Sequence, residues 1–259
     1  MAYVETEDPR PHVRVIRLNR PERMNALDPA AQDELLRTWG RIEGDRSVRV
    51  VVLTGTGDRA FCSGMDLRAF SEGDTPAPDP DAEATSGNFM RLMRGGVTVP
   101  VIAAVQASAV AGGFEIVMGC DLVVASEDAR FGLPEVKRAL FPGGDGILLA
   151  TRIPLPIAME ITLTGDYIDA ERAYDLGLVN RVVPADRVLD AALELATKIA
   201  ANGPLGVKAT KELVRLAVTS VEQAHARQTE WFPTVFQSED AVEGATAFVE
   251  KRDPVWKGR

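Results

Sequence analysis

Histidine and cysteine are scarce in this chain. His12 and His225 are the only histidines, so neither a histidine-based metal site nor a Ser-His triad is expected. Cys62 and Cys120 form no CxxC pair and no disulfide framework, which fits a reducing, cytoplasmic setting. No apolar run reaches the roughly 18 residues of a membrane span. The opening MAYVETEDPRPH is acidic and polar, unlike a signal or transit peptide. Positive charge is also in deficit: 29 Lys and Arg against 38 Asp and Glu leave a net charge of −9. That excludes nonspecific attraction to nucleic acid or anionic membranes, and an anionic ligand would need a local basic cluster. The GTG at 55–57 is followed by no GK[ST], and GxGxxG is absent, so P-loop and dinucleotide-binding readings fail.

What remains is ordinary globular material: 259 residues, 46% apolar and 26% charged, enough for a large α/β domain with a helical appendage. HVRVIRLN (12–19) alternates as a strand, and RPERMNALD is a turn opened by Pro21. Asp28-Pro29 starts an amphipathic helix running to about Ile42. VRVVVLT (48–54) and VPVIAAV (99–105) are apolar throughout and read as strands buried on both faces. Between them, GTGDRAFCSGMDLRAF begins as a glycine-rich turn and leads to a helix start at Asp66, and 71–87 is an acidic, proline-rich loop. Helical character resumes at Phe89. Beyond Asn202-Gly203-Pro204 the pattern is all-helical, with Ser238 as an N-cap, which divides the chain into 1–201 and 202–259. His225 reads as an ordinary surface or packing residue.

The stretch with most chemistry is AVAGGFEIVMGCDLVVASEDARFGLPE (109–135). Gly112-Gly113 at the mouth of an apolar helix leaves amide N–H groups free to meet a ligand at a helix N-terminus. Glu115 follows one turn later, and Glu135 comes after a short strand (122–125) and a turn, whereas Glu127 reads as surface. Two carboxylates beside an amide-lined oxyanion site suit acid/base chemistry next to a carbonyl. The PGGDG turn (142–146) opens a further helix and offers more amides, with Asp145 read as a turn or helix-capping aspartate.

Taken in order, LNRPERMNAL (18–27), RAFCSGMDL (59–67), AVAGGFEIVMGCDL (109–122), ARFGLPEVKRALFPGGDG (129–146), LTGDYIDAERAYDLGLVNRVV (163–183) and FVEKRDP (248–254) resemble the crotonase superfamily, the enoyl-CoA hydratase/isomerase family, over nearly the whole chain. The resemblance implies an α/β spiral of ββα units and a C-terminal helical region that builds homotrimers or hexamers. It also implies an acyl-CoA thioester substrate, with neither a metal nor a separate cofactor. Position by position it assigns an oxyanion hole to the backbone N–H groups of Met65 and Gly112. Glu115 and Glu135 stand where hydratases carry two glutamates, and Gly143 matches a glycine that lies beside the catalytic water in hydratases. Arg23, Ala26, Asp66, Leu67 and Arg68 would face coenzyme A, joined by Phe248 and Lys251 from a neighbouring subunit. The implied reaction is syn hydration of a trans-2-enoyl-CoA. Isomerisation, hydroxyacyl-CoA dehydration and noncatalytic acyl-CoA or RNA binding are the alternatives. Two departures bear on the substrate: Asp145-Gly146-Ile147-Leu148-Leu149 stands where many members carry a Gly-Gly pair and then a Thr-Gln-Arg-Leu type of helix start, and Met65 stands where a smaller residue is common.

Overall fold

The computed structural model describes residues 2–73 and 91–259. Most of the loop expected over 71–87, and the helix start expected at Phe89, lie outside those residues. The main sheet runs β1(Val4–Arg10), β2(Val13–Leu18), β3(Val50–Gly55), β5(Val101–Val105), β7(Leu122–Ser126) and β10(Arg181–Val183), in that spatial order. The β1–β2 pair is antiparallel and the other pairings are parallel, with Val51 opposite Val101 and Ile102 opposite Leu122. A second sheet carries β4(Ala60–Cys62), β6(Ser108–Val110), β8(Arg130–Gly132) and β9(Ile168–Asp169). Successive strands therefore alternate between sheets: β3 then β4, β5 then β6, β7 then β8. Each pair is one turn of a spiral, as the family resemblance implied.

Burial on both faces explains the unbroken apolar strands. Val50 and Val52 of β3 and Ile102 and Ala104 of β5 join one core, under Val188, Ala192 and Ala196 of a helix over Val188–Ala200. Val51, Leu53, Val101, Ala103 and Val105 point the opposite way, into the core that holds Phe61, Phe114 and Phe131. The period of two survives, but both phases are apolar. Both cysteines are buried in this second core as free thiols, and burial pushes each up to about 12.

Helices α1(Pro29–Gly44) and α2(Leu67–Ser71) begin as the sequence indicates, with Asp28 accepting the Ala31 N–H and Asp66 accepting those of Arg68 and Ala69. The stretch opened by Gly112 is α3(Gly112–Gly119). Then come α4(Leu155–Thr164), α5(Ala170–Asp175) and α6(Val188–Ala200), followed by α7(Pro204–Thr219), α8(Val221–Phe236) and α9(Glu239–Glu250). Ser238 caps α9 by accepting the Ala241 N–H, and His225 is exposed on α8. Asp121 anchors α7 to the core, bound by Lys211 and Arg215 at 2.8 Å each.

Residues 4–10, given no element above, form a strand. Two expectations need correction. The stretch after Gly55 holds β4, not only a turn. The PGGDG turn opens a short 3-10 helix, Gly146–Thr151, rather than an α-helix. Pro154 limits it, because the residue before a proline is pushed out of the helical region.

Candidate active site

The site forms where the second sheet meets α3. Gly64 adopts φ +84°, and a Cβ built on it would stand 2.7 Å from the Gly112 nitrogen, so only glycine lets the two turns approach. Gly113 is pressed as closely onto β4, where a Cβ would meet the Cys62 carbonyl. Ala111, just before α3, holds φ 52° and ψ −133°, a conformation unfavourable for any residue with a Cβ. It is held there because its own N–H donates to the Gly132 carbonyl (2.9 Å) while its carbonyl accepts from Phe114 and Glu115. The strain turns the first amides of α3 outward. Among the described residues the N–H groups of Met65 and Gly112 have no hydrogen-bond partner. The Met65 nitrogen lies 3.8 Å from where a Gly112 Cβ would be. Two adjacent unpartnered amides at a helix start can hold one developing oxyanion.

Glu115 is 3% exposed, and its Oε1 accepts the N–H groups of Gly144 (2.9 Å) and Gly146 (2.8 Å). Burial pushes its carboxyl above the ordinary range; the two amides oppose that, and the nearby charge of Asp145 adds to it. Glu135 is 9% exposed on a 3-10 turn, Pro134–Arg138, and its Oε2 is buried with no hydrogen-bond partner. Its pKa is also raised, chiefly by burial, with the negative charge of Glu115 adding and Arg138 opposing. Two coupled, raised carboxyl groups favour holding one proton between them.

Both glutamates line a cavity of about 870 Å³ together with Met65, Gly112 and Gly143. Arg23, Ala26, Asp66, Leu67 and Arg68 stand on the same walls. The Gly143 N–H has no partner among the described residues, so it remains available to a water or substrate atom. The side chains expected at coenzyme A differ in their freedom. Arg23 is exposed at the cavity edge, whereas Arg68 is paired with Glu72 at 3.0 Å. Asp66 is committed to capping α2 and to Arg20 (3.2 Å). Phe248 and Lys251, expected to act from a neighbouring subunit, stand exposed on and just after α9, outside this cavity's lining.

Several residues went unread in the sequence. Arg20 donates to the Ala26 carbonyl (2.7 Å) and pairs with Asp28 (3.0 Å) as well as Asp66, tying the 20–28 segment together. Asn25, 1% exposed with φ 53°, accepts the Arg20 N–H and donates to the Thr56 and Ala60 carbonyls. Arg59 and Arg138 add positive charge to the cavity wall. Asp145 stands in the turn at the start of the Gly146–Thr151 helix, as expected of a turn or capping residue, but its side chain makes no cap; Oδ1 meets Arg94 Nε at 3.5 Å, and Oδ2 is buried without a partner.

Comparison with known proteins places the chain in a family. Residues 10–259 match the family described as enoyl-CoA hydratase/isomerase. The chain is 40% identical over 249 residues to carnitinyl-CoA dehydratase of Proteus mirabilis, covering 93% of this chain and 94% of that one. It is 39% identical over 253 residues to enoyl-CoA hydratase EchA19 of Mycobacterium tuberculosis, covering 96% and 95%. Among solved structures, an enoyl-CoA hydratase from Mycobacterium tuberculosis H37Rv superposes with a TM-score of 0.91 at 43% identity, each chain covered in full. One from Bacillus anthracis gives 0.89 at 33%, over 99% of this chain and 100% of that one. With motifs, fold and cavity in agreement, the chain belongs to the enoyl-CoA hydratase/isomerase family.

Proposed function

We propose that the protein is an enoyl-CoA hydratase, a hydro-lyase that adds water syn across a trans-2-enoyl-CoA to give a 3-hydroxyacyl-CoA. The observation that carries this reading is the placement of two buried glutamates, each with its pKa raised chiefly by burial, on the cavity that also holds the free amides of Met65 and Gly112. In the proposed reaction the thioester oxygen accepts both amides. Glu115, fixed by Gly144 and Gly146, takes a proton from the water as its oxygen bonds to the β-carbon. The C=C electrons move toward the thioester as an enolate, which the amides stabilise. Collapse of the enolate forms the new C–H bond at the α-carbon with the proton of Glu135, and the pair then shares the proton gained from water. Gly143 N–H steadies the water. Coenzyme A lies along Ala26 and Leu67, its phosphates met by Arg23 and Arg68, with Phe248 and Lys251 contributed by a neighbouring subunit.

The same reading takes 1–201 as the spiral core and 202–259 as the helical region that assembles a homotrimer or a pair of trimers. It places the protein in the cytoplasm, in the degradation of fatty or related acyl-CoAs such as β-oxidation, with coenzyme A as part of the substrate and no separate cofactor. The relatives named carnitinyl-CoA dehydratase favour a second reading, in which dehydration of a hydroxyacyl-CoA at the same site is the productive direction. Chromatography of products from trans-2-enoyl-CoA and from 3-hydroxyacyl-CoA tests both. A 3-hydroxyacyl-CoA formed from the enoyl thioester supports hydration. A shifted double bond with no water added would overturn it in favour of isomerisation.

A further inference from the structure

Four buried side-chain polar atoms lack a hydrogen-bond partner among the described residues, and two of them belong to cavity-lining carboxylates. One is Glu135 Oε2, in the cavity already described. The other is Asp145 Oδ2, on the wall of a second cavity of about 1110 Å³ between the core and the C-terminal helices. The two cavities share Met93. The backbone that holds Glu115 also separates them: Gly144 and Gly146, whose amides bind its Oε1, flank Asp145. The second cavity therefore adjoins the site of Glu115, with Asp145 on its wall.

Leaving a carboxylate oxygen buried without a donor is costly, because the group has lost water and gained nothing. Asp145 is 7% exposed. Its Oδ1 faces the Arg94 guanidinium at 3.5 Å, the outer limit of a hydrogen bond, so this exposed arginine holds it only loosely. Oδ2 has no donor at all. Most of the neighbouring wall is apolar, with Met93, Met118, Leu148, Val207 and Val214. Of the other carboxylates on this cavity's wall, Asp121 is engaged by Lys211 and Arg215, and Asp240 accepts the N–H groups of Lys257 and Gly258. The Arg94 side chain is 63% exposed, so it can turn to admit a ligand without disturbing the core.

We propose that the second cavity holds the acyl tail and that Asp145 Oδ2 selects a tail carrying a hydroxyl group, by accepting its hydrogen bond. The proposal rests on the acyl-CoA reading of the first cavity and names the acyl class that reading leaves open. Asp145 is a specificity residue here; it touches the tail, not the reacting atoms.

Calorimetric titration of the full-length protein with saturated acyl-CoAs tests this without requiring turnover. The ligands are pairs of equal chain length, one member ending in methyl and the other in hydroxyl, from short to medium chains. At the length that reaches Asp145, the hydroxyl member binds about tenfold more tightly, the margin of a hydrogen bond to a charged group. That preference disappears in Asp145→Ala and shrinks in Asp145→Asn, which keeps the shape if the alanine variant fails to fold. Equal affinities at every length, or an unchanged preference in both variants, would overturn the proposal. Tighter binding of an ammonium-ended tail than of its hydroxyl counterpart would overturn the neutral-donor assignment. Failure of every acyl-CoA to bind would instead overturn the acyl-CoA reading, and this proposal with it.

Discussion

Gly64 and Gly112 meet backbone to backbone, with no room for a Cβ on Gly64 within 2.7 Å of the Gly112 nitrogen. Their contact sets how far apart the Met65 and Gly112 amides stand, and so whether both can reach one oxygen.

Gly64→Ala therefore should act on catalysis before it acts on folding. The alanine must adopt φ +84° and push against the Gly112 turn. Displacing an oxyanion donor costs on the order of 10² to 10³ in kcat. The expected outcome is a fall of about 10² or more in kcat with far-ultraviolet circular dichroism unchanged. A variant with near-normal kcat would show that these amides do not carry the developing charge.

Glu135→Gln should change the pH dependence of stability. The folded-state pKa of Glu135 is raised, so folding favours its protonated form. The stability it contributes is present below the ordinary carboxylate range and lost as pH rises through the raised value. A neutral glutamine does not suffer that loss. Thermal melts should show the variant about 2 °C more stable at pH 8, the effect of about 1 kcal/mol at this chain length. The gap should close toward pH 4. A variant less stable than the wild type at pH 8 would contradict a buried, unpartnered Oε2.

Asp121→Asn should loosen the C-terminal helices. Lys211, with its side chain only 8% exposed, and Arg215 both rely on Asp121 across the junction between α7 and the core. Removing one member of a buried charge cluster leaves the others uncompensated, at a cost of about 3 kcal/mol. Urea unfolding should show a loss of that size. A change below about 0.5 kcal/mol would mean that the cluster is solvated in solution.

Arg20→Ala should weaken substrate binding more than it slows chemistry. Arg20 holds Ala26, Asp28 and Asp66 together but is not a wall of the first cavity. A rise of about tenfold in KM for an enoyl-CoA, with a smaller change in kcat, is expected from loss of charge-assisted bonds worth about 1.5 kcal/mol. An effect confined to kcat would contradict a role in shaping the loop proposed to face coenzyme A.

The long buried strands and the glutamate pair were legible because each has a strong local signature. β3 and β5 are apolar in both phases, and Glu115 and Glu135 interrupt apolar surroundings beside glycines. β4, β6 and β8 have three residues each, too few for a period to emerge. β1 hid for a different reason. Its charged side chains answer its neighbour rather than the core, with Glu7 on Arg17 and Asp8 on Arg14, so only Val4 signals burial. The clasp on Glu115 depends on residues 29 and 31 positions away, and the sequence showed only that PGGDG would offer amides nearby. Asp145 was placed in its turn, but whether its side chain caps or is buried and unsatisfied could not be told, because both follow the same turn residues.

The role of the glutamate pair is tested most directly by following the loss of enoyl thioester absorbance with a trans-2-enoyl-CoA, in the wild type, Glu115→Gln and Glu135→Gln. Hydration by the wild type, with kcat lowered about 10² to 10⁴-fold in each variant, is the expected result. Loss of absorbance that persists undiminished when either glutamate is replaced would contradict the assignment of both to the reacting water.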